Sequence, residues 1–415
     1  MSETSVEATV PSEKKEKTDS FKSLFAIKDY RYLIAGQFVS ALGDGVYALS
    51  IIWAMKVLTG SAVLMSLVLA AEIVPTILFG IFAGVLVDRG DQKKFMLMSD
   101  IFRGLVILGL VFLFWADLLE PWMLIVSAVI ISSFDSFFVP AKTVAIRSIV
   151  PDHLITRAQS VSSTIQTVVG LAAPAIAGIL LVYSLPTAFL FNALTFFVSF
   201  FFILLIKEKA LTKKAADKLN WKSFGADLKT GLKTIVSVPI LRGMIIYLVL
   251  INFMLAPVAV LFPLFVESAA DLAKVEIAFF IGILLGSVSI NFFNKVRKIV
   301  PMVVGLVLML GSFGALAFTD NFIAVMGIIL VAGIGSPLAS IALQSLFIVK
   351  VPRKLIGRSQ STMRVLLESS KPVSLMLTGT LLVHFSINHL FLGISIFGGI
   401  VVLLMVLNPV IRKAE

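Results

Sequence analysis

VPDHLITRAQS, at residues 150–160, returns as VPRKLIGRSQS at residues 351–361. Seven of the eleven positions are identical, and the offset of 201 residues is close to half of the 415-residue chain. The same offset relates Gly178 to Gly379. Chance similarity is the alternative, but each copy stands just before a long apolar segment. The repeat predicts two related halves with the same orientation.

Long apolar segments fill the sequence on both sides of this repeat. Hydrophobic residues make up 59% of the chain and charged residues 14%, with a mean hydropathy of +1.03 and no cysteine. A soluble domain has about 45–50% hydrophobic residues and about 25% charged residues. This composition therefore excludes a soluble, disordered or disulfide-stapled protein. A membrane-spanning helix needs about 20 apolar residues. Twelve segments meet that length: 32–57, 64–87, 94–116, 121–146, 155–183, 186–206, 240–266, 276–294, 300–318, 322–349, 356–384 and 388–411.

Charge predicts how these segments are oriented. Lysine and arginine occupy both terminal segments and every even-numbered loop, whereas the other loops carry only Lys56 and Lys274. By the positive-inside rule, both termini and the even-numbered loops are cytoplasmic. The net charge of +11 therefore reflects topology, and we expect no nucleic-acid partner. We also expect no cleavable signal peptide, because residues 1–20 are polar and the first apolar run is long.

These observations predict an all-α membrane protein with twelve transmembrane helices in two parallel six-helix halves. We expect a cytoplasmic tail with a short interfacial helix (1–31), a first half (32–206), a linker (207–239) and a second half (240–415). In the linker, apolar residues recur at helical spacing between lysines, which favours an amphipathic helix on the inner leaflet over a solvated helix. They are Trp221, Phe224, Leu228, Leu232 and Ile235. Parallel repeats are typical of transporters whose substrate site lies between the halves.

One loop and several predicted helical segments resemble those of a known family. The loop after span 2, GVLVDRGDQKK (84–94), resembles the signature loop of the major facilitator superfamily, with Asp91 in place of its second glycine. GLAAPAIAG (170–178) resembles the antiporter motif of that superfamily, with Ala173 in place of a glycine. Residues 36–61, Asp100-x-x-Arg103 and FFVPAK (137–142) resemble the macrolide-efflux and siderophore-exporter-like drug:proton antiporter family 3. The resemblance implies the major facilitator fold and secondary active transport.

The signature loop implies a conformational switch at the cytoplasmic face. In the family, the aspartate at the position of Asp88 caps a helix at span 11 and locks the outward-facing state, since unpaired helix N–H groups attract a carboxylate. The residues assigned to this switch are Gly84, Asp88, Arg89, Lys93, Asp100 and Arg103. Two alternatives stay open: Asp100 and Arg103 form a local pair, or the loop is simply basic.

Three small or kinking residues share one face of span 5. Gly170, Pro174 and Gly178 are four residues apart. Small residues permit close helix approach, and a proline frees a backbone carbonyl. The resemblance implies an antiporter motif, and ordinary small-residue packing explains the same pattern.

Charged residues within the spans are the best candidates for cargo contact or proton coupling, because burying a charge in lipid is expensive. They are Asp44, Glu72, Asp135, Glu368, Lys371 and Arg364. Asp44 stands first, since Gly43 and Gly45 beside it allow close backbone approach. For Asp44 the alternative is a cap on a broken helix, and for Asp135 and Glu72 it is a structural ion pair with an arginine or lysine. Glu368 and Lys371, three apart, would neutralise each other.

The resulting hypothesis is a proton-coupled exporter of amphipathic small molecules, driven by alternating access. A lipid or lysophospholipid translocator of the same fold is the main alternative, and a membrane sensor the third. The sequence contains no phosphate-binding Gly-x-x-x-x-Gly-Lys-Ser/Thr loop and no Cys/His cluster. We therefore expect no enzyme activity, no cofactor and no metal. The expected partners are cargo, protons and membrane lipid, and the protein is expected to be a monomer of a bacterial plasma (inner) membrane.

Overall fold

The computed structural model of the protein describes residues 21–207, 211, 230, 232–293, 296–351 and 356–413. Across these ranges the chain is helical and contains no strand. The first half comprises α1 (Phe21–Ala26), α2 (Lys28–Thr59), α3 (Ala62–Arg89), α4 (Gln92–Trp115), α5 (Pro121–Ile149), α6 (Ile155–Tyr183) and α7 (Leu185–Leu204). The second comprises α8 (Pro239–Leu255), α9 (Val258–Phe265), α10 (Ala269–Ser289), α11 (Ile299–Leu316), α12 (Phe322–Lys350), α13 (Ile356–Leu381), α14 (Ile387–Leu407) and α15 (Pro409–Lys413).

The predicted all-α membrane fold is confirmed. Eleven spans among the described residues are long and apolar enough to cross a membrane, counting α8 and α9 as one. The remaining predicted span, the eleventh at 356–384, forms the 26-residue helix α13, which is more polar than the others. Its polarity comes from four charged residues, namely Arg358, Arg364, Glu368 and Lys371.

Two predicted spans differ from the structure. The seventh, predicted over 240–266, agrees in its bounds with the span Pro239–Phe265, but its helix is interrupted after Leu255, because Pro257 has no N–H to continue the hydrogen-bond ladder. The eighth was wrong in its start, since it was predicted from 276 and begins at Ala269. There the Ser268 hydroxyl caps the helix by accepting from the Asp271 N–H at 3.1 Å. Asp271 thus lies on the first turn of α10 and Lys274 on the second, and neither lies in a loop.

The linker predicted at 207–239 lies mostly outside the described residues, including Trp221, Phe224 and Leu228. Of its apolar stripe, Ile235 is buried in the core of the second half, whereas Leu232 is 42% exposed. At the other end of the first half, α1 is the short helix expected before span 1. It buries Leu24 and leaves Phe21 and Phe25 exposed, as an amphipathic helix does.

The described residues of the first half form three separate apolar clusters. One includes Tyr47 and Phe189, a second includes Leu33 and Met96, and a third, smaller cluster includes Val46. The second half instead has one continuous apolar core that runs from α8 to α15. Polar chemistry is therefore concentrated in the first half.

The bundle has two ends, which we name from the loops. The terminal end carries the loops at 90–91 and 150–154, and the distal end carries those at 60–61, 116–120 and 266–268. At the distal end, the Lys56 ammonium donates to the backbone oxygens of Pro263 and Val266, at 2.7 and 2.6 Å. These bonds join α2 of the first half to the segment that closes α9 of the second.

A helix seam between the halves is described near the distal end. A Cβ on Gly379 of α13 would overlap Ser66 of α3, so these helices touch there. Gly84 lies about five turns further along the same face of α3, since eighteen residues return a helix to one face. A Cβ on Gly84 would meet nothing within 4 Å, so no close contact between helices is described at this point towards the terminal end.

Candidate central binding site

Arg103 of α4 is the centre of a polar cluster in the first half. Its side chain is 1% exposed, and its guanidinium lies between the rings of Phe138 and Phe196, at 4.8 and 4.2 Å from their centroids. One Nη atom is 2.8 Å from a carboxylate oxygen of Asp100, and the other is 3.0 Å from Asp135. A buried arginine must be paired in this way, because an unpaired buried charge is strongly unfavourable.

Asp44 of α2 completes the cluster around Arg103. One of its carboxylate oxygens is 3.7 Å from the guanidinium. Asp44 and Asp135 are 42% and 40% exposed, whereas Asp100 is fully buried. Asp100 therefore holds the arginine in place from inside the bundle, whereas the other two carboxylates are accessible from outside the packed helices.

The glycines beside Asp44 serve helix packing. A Cβ on Gly43 would overlap the side chain of Thr195 on α7, and a Cβ on Gly45 would overlap Ala173 on α6. The close approach expected at these glycines is thus an approach of neighbouring helices. It fixes Asp44 within the first half, because α2 is held by two helices of that half at this level.

The cluster carries more negative than positive charge. Three carboxylates surround Arg103, and Lys142 of α5 is the nearest further cation, within electrostatic range of Asp44 and Asp135. Within the described residues, Lys142 makes no ion pair with either carboxylate. If all groups are ionised, one negative charge remains, which a proton or a cationic cargo would neutralise.

Glu72 of α3 lies beyond the cluster, towards the distal end. It is within electrostatic range of Asp44, and Tyr47 lies in range of both acids. Within the described residues Glu72 has no cationic partner, so the structural ion pair considered for it is not formed there. Glu72, Tyr47 and Asp44 mark a line of polar groups along the first half.

The charged residues of α13 are arranged differently. Lys371 and Glu368 form an ion pair at 2.8 Å, so they neutralise each other, which is the alternative expected for them. Arg364, one turn nearer the terminal end, is exposed. The structure does not bring these three residues into the Arg103 cluster.

The switch residues predicted around the signature loop do not form one network among the described side chains. Asp100 and Arg103 lie inside the bundle and form the local pair, with Asp44 and Asp135 as further neighbours. Lys93 instead donates to the backbone oxygens at 204 and 206, at 2.8 and 2.7 Å, and so caps the end of α7. The side chains of Asp88 and Arg89 lie outside the described part of the structure.

Asp91 replaces the second glycine of the family loop, and the structure shows the role of its side chain. Its carboxylate accepts from the Lys94 N–H at 2.8 Å and caps the start of α4. The turn is thus closed by a side chain. Gly84, at the other end of the loop motif, has no close neighbour in this conformation.

The three residues of the predicted span 5 motif lie where the halves meet. A Cβ on Gly170 would overlap Phe280 of α10, and a Cβ on Gly178 would overlap Ala273. Pro174 is buried between them along α6. The motif therefore packs one half against the other, as small residues do in membranes.

Glu276 of α10 is a candidate residue that the sequence analysis missed. It lies between Ala273 and Phe280 on α10, one turn from each, and so shares the side that faces α6. Within the described residues it makes no hydrogen bond or ion pair. The predicted span 8 placed Glu276 at its first position; extending that span outward to Ser268, a capping residue, would have placed this carboxylate about two turns inside the helix.

Comparisons with known proteins agree with this architecture. The sequence model of the Major Facilitator Superfamily matches residues 33–370. Macrolide efflux protein A of Streptococcus pyogenes is 24% identical over 388 residues, covering 91% of this chain and 95% of that protein. The putative bacilysin exporter BacE of Bacillus subtilis (strain 168) is 34% identical over 208 residues, covering 49% of this chain and 50% of that protein.

Solved structures show the same fold. Nucleoside transporter NupG superposes with a TM-score of 0.71 at 14% identity, covering 92% of this chain and 99% of that one. A bacterial homologue of the iron transporter ferroportin, in its inward-facing state, superposes with a TM-score of 0.70 at 15% identity and the same coverage. At these identities the likeness concerns the fold alone.

Proposed function

This chain belongs to the Major Facilitator Superfamily, and on that premise we propose that it exports amphipathic small molecules in exchange for protons. It is a multi-pass membrane transporter and not an enzyme. Similar proteins that are named for efflux come from bacteria, which supports a bacterial plasma (inner) membrane as its location. Their cargoes, a macrolide and bacilysin by name, support a small natural product or drug as cargo.

One observation carries the proposal: Asp44 and Asp135 are both partly exposed while sharing one arginine with Asp100. Three carboxylates around one guanidinium leave an excess of negative charge within the membrane-spanning part of the bundle. A proton and a cationic cargo would compete for this negative charge. Such competition is the physical basis of exchange, because each ligand binds where the other has left.

Alternating access would complete the cycle. The halves touch near the distal end, at Lys56 and at Gly379, and the absence of a close neighbour at Gly84 supports an opening towards the terminal end. With the orientation that the basic loops predict, the open end faces the cytoplasm, where an exporter collects its cargo. Rocking of the halves about the central site would then expose Asp44 and Asp135 to the other side.

The experiment is proton release in liposomes that contain the purified protein and a pH-sensitive dye. Adding a macrolide or another amphipathic amine should release protons from the protein-containing liposomes, and Asp44→Asn should reduce this release to the level of protein-free liposomes. Asp117→Asn is the matched control, because Asp117 is exposed in a distal loop with a φ of 54°, which asparagine adopts readily.

Two results would contradict the proposal. Full proton-coupled transport by Asp44→Asn would remove Asp44 from the coupling site. Absence of proton release with every amphipathic amine, together with flipping of a labelled lysophospholipid, would favour the lipid translocator that the same fold supports.

A further inference from the structure

A second polar surface lies in the first half, nearer the terminal end than the Arg103 cluster. It is a pocket of about 260 Å³ between α2, α5 and α6. Amide and hydroxyl side chains dominate its wall, and Lys142 is its only charged residue. The polar lining residues used below are Gln37, Lys142, Gln159, Ser162, Ser163 and Gln166.

Buried polar atoms in this pocket lack partners. Gln37 is 4% exposed, and its side-chain carbonyl oxygen makes no hydrogen bond within the described part of the chain. The Ser162 hydroxyl is also buried and unpaired there. Buried polar atoms are normally hydrogen-bonded, so two unpaired atoms on residues that line one pocket indicate a place where a ligand could supply the missing hydrogen bonds after a side-chain rearrangement.

Helix geometry sets the distance from this pocket to the acids. Gln37 precedes Asp44 by seven residues on α2, and Lys142 follows Asp135 by seven residues on α5. Seven residues are about two turns, so each pair shares a helix face with a rise of about 10 Å. Because α2 and α5 run in opposite directions, both offsets point to the terminal end. The pocket and the acid pair are thus two levels of one surface.

The chemistry of the pocket selects a neutral group. Lys142 would repel a cationic group. An anionic group gains little from Lys142, because Asp44 and Asp135 lie within electrostatic range and offset its charge. Glutamine amides and serine hydroxyls both donate and accept, which suits hydroxyls or amides of a ligand. The volume is below the roughly 300–1,000 Å³ of pockets that enclose a whole drug-sized ligand, so it fits part of one.

We propose that this pocket is a cargo subsite for an uncharged hydroxyl- or amide-bearing group, such as a sugar ring, on a molecule whose cationic group binds at Asp44 and Asp135. The inference rests on the proposed export function and adds a cargo class to it. Cargo would carry its amine and its neutral polar group about 10 Å apart. Binding at two points discriminates between cargoes that have the same cationic group but differ in their neutral polar group.

The first test compares two probes on the purified full-length protein. Erythromycin carries one amino sugar and one neutral sugar, and its descladinosyl derivative keeps the amine but lacks the neutral sugar. Gln37→Leu should weaken erythromycin binding about 10-fold, as expected for lost hydrogen bonds in a buried site, and leave the derivative unchanged. Thr167→Val is the control, because Thr167 is exposed on α6 outside this pocket. Equal weakening of both probes by Gln37→Leu would overturn the inference.

The second test uses the absence of cysteine from the sequence. A Ser163→Cys variant offers one thiol in the pocket, and Ser148→Cys offers one exposed thiol on α5 outside it. Erythromycin should slow maleimide labelling of the Ser163→Cys variant at least 5-fold, the derivative should not, and neither should protect the Ser148→Cys variant, as mass action on an occupied site predicts. If both probes bind and protect the Ser163→Cys thiol equally, the proposed subsite is refuted and the proposed export function is not. If neither probe binds the unaltered protein, both proposals fail for this cargo class.

Discussion

Replacement of Lys56 by methionine should loosen the contact that joins the halves at the distal end. The ammonium donates two hydrogen bonds to backbone oxygens of the other half, at 2.7 and 2.6 Å. Hydrogen bonds to charged groups contribute about 1.5–3 kcal/mol each. Since Lys56 is half-buried and regains water when the halves part, we take about 2 kcal/mol for both together. That energy corresponds to a roughly 30-fold change in the ratio of closed to open molecules.

Maleimide labelling of a Ser66→Cys variant measures this ratio. Ser66 is 1% exposed at the seam beside Gly379, so its thiol would react only when the distal end opens. The labelling rate should rise about 30-fold on adding Lys56→Met, the change estimated for the closed-to-open ratio. Lys274→Met is the matched control, because Lys274 is at the same end but its described contacts stay within the second half, namely the ion pair with Asp271 at 2.8 Å and the ring of Phe322. Equal rates with and without Lys56→Met would refute the role of Lys56 in closure.

Three further predictions test the described contacts. Arg103→Met should lower the free energy of unfolding by about 3–5 kcal/mol, because it leaves a buried carboxylate unpaired; an unchanged thermal midpoint in detergent would contradict this. Gly178→Val should abolish transport by forcing α6 from α10, whereas Gly109→Val should be tolerated, since a Cβ there meets nothing within 4 Å; equal activity of the two would argue against the seam. Lys93→Met should cost about 1–2 kcal/mol through the lost cap on α7, which denaturant unfolding would detect; no change would show that the cap does not contribute to stability.

The helices were predictable because a membrane leaves the backbone few alternatives. In lipid, each N–H and C=O must be paired within the protein, so a long apolar run becomes a helix. The break at Pro257 was not predictable in the same way. Prolines also lie inside continuous helices, where neighbouring groups satisfy the freed backbone, so the residue type alone does not locate a break. These prolines are Pro75, Pro140, Pro174, Pro337 and Pro372.

The candidate site was predictable only in part. Asp44 and Asp135 are recognisable as charges within apolar spans. Their shared contact with Arg103 involves three helices, and no local pattern states which faces those helices present to one another. Gln37 was not predictable, for another reason. Burying a neutral amide within a helix costs much less free energy than burying a charge, so its presence in the sequence does not indicate a function. Only its unpaired oxygen in the folded protein distinguishes it.

The Arg103 cluster is built wholly from α2, α4 and α5, and Gly43 and Gly45 fix its position within that half. The second half brings no residue to the ion pairs around Arg103 among the described side chains. Substitutions in the second half therefore leave these ion pairs untouched. Under the proposed exchange, such substitutions should alter the contacts that the second half makes with cargo and leave the charge balance at Asp44 and Asp135 unchanged.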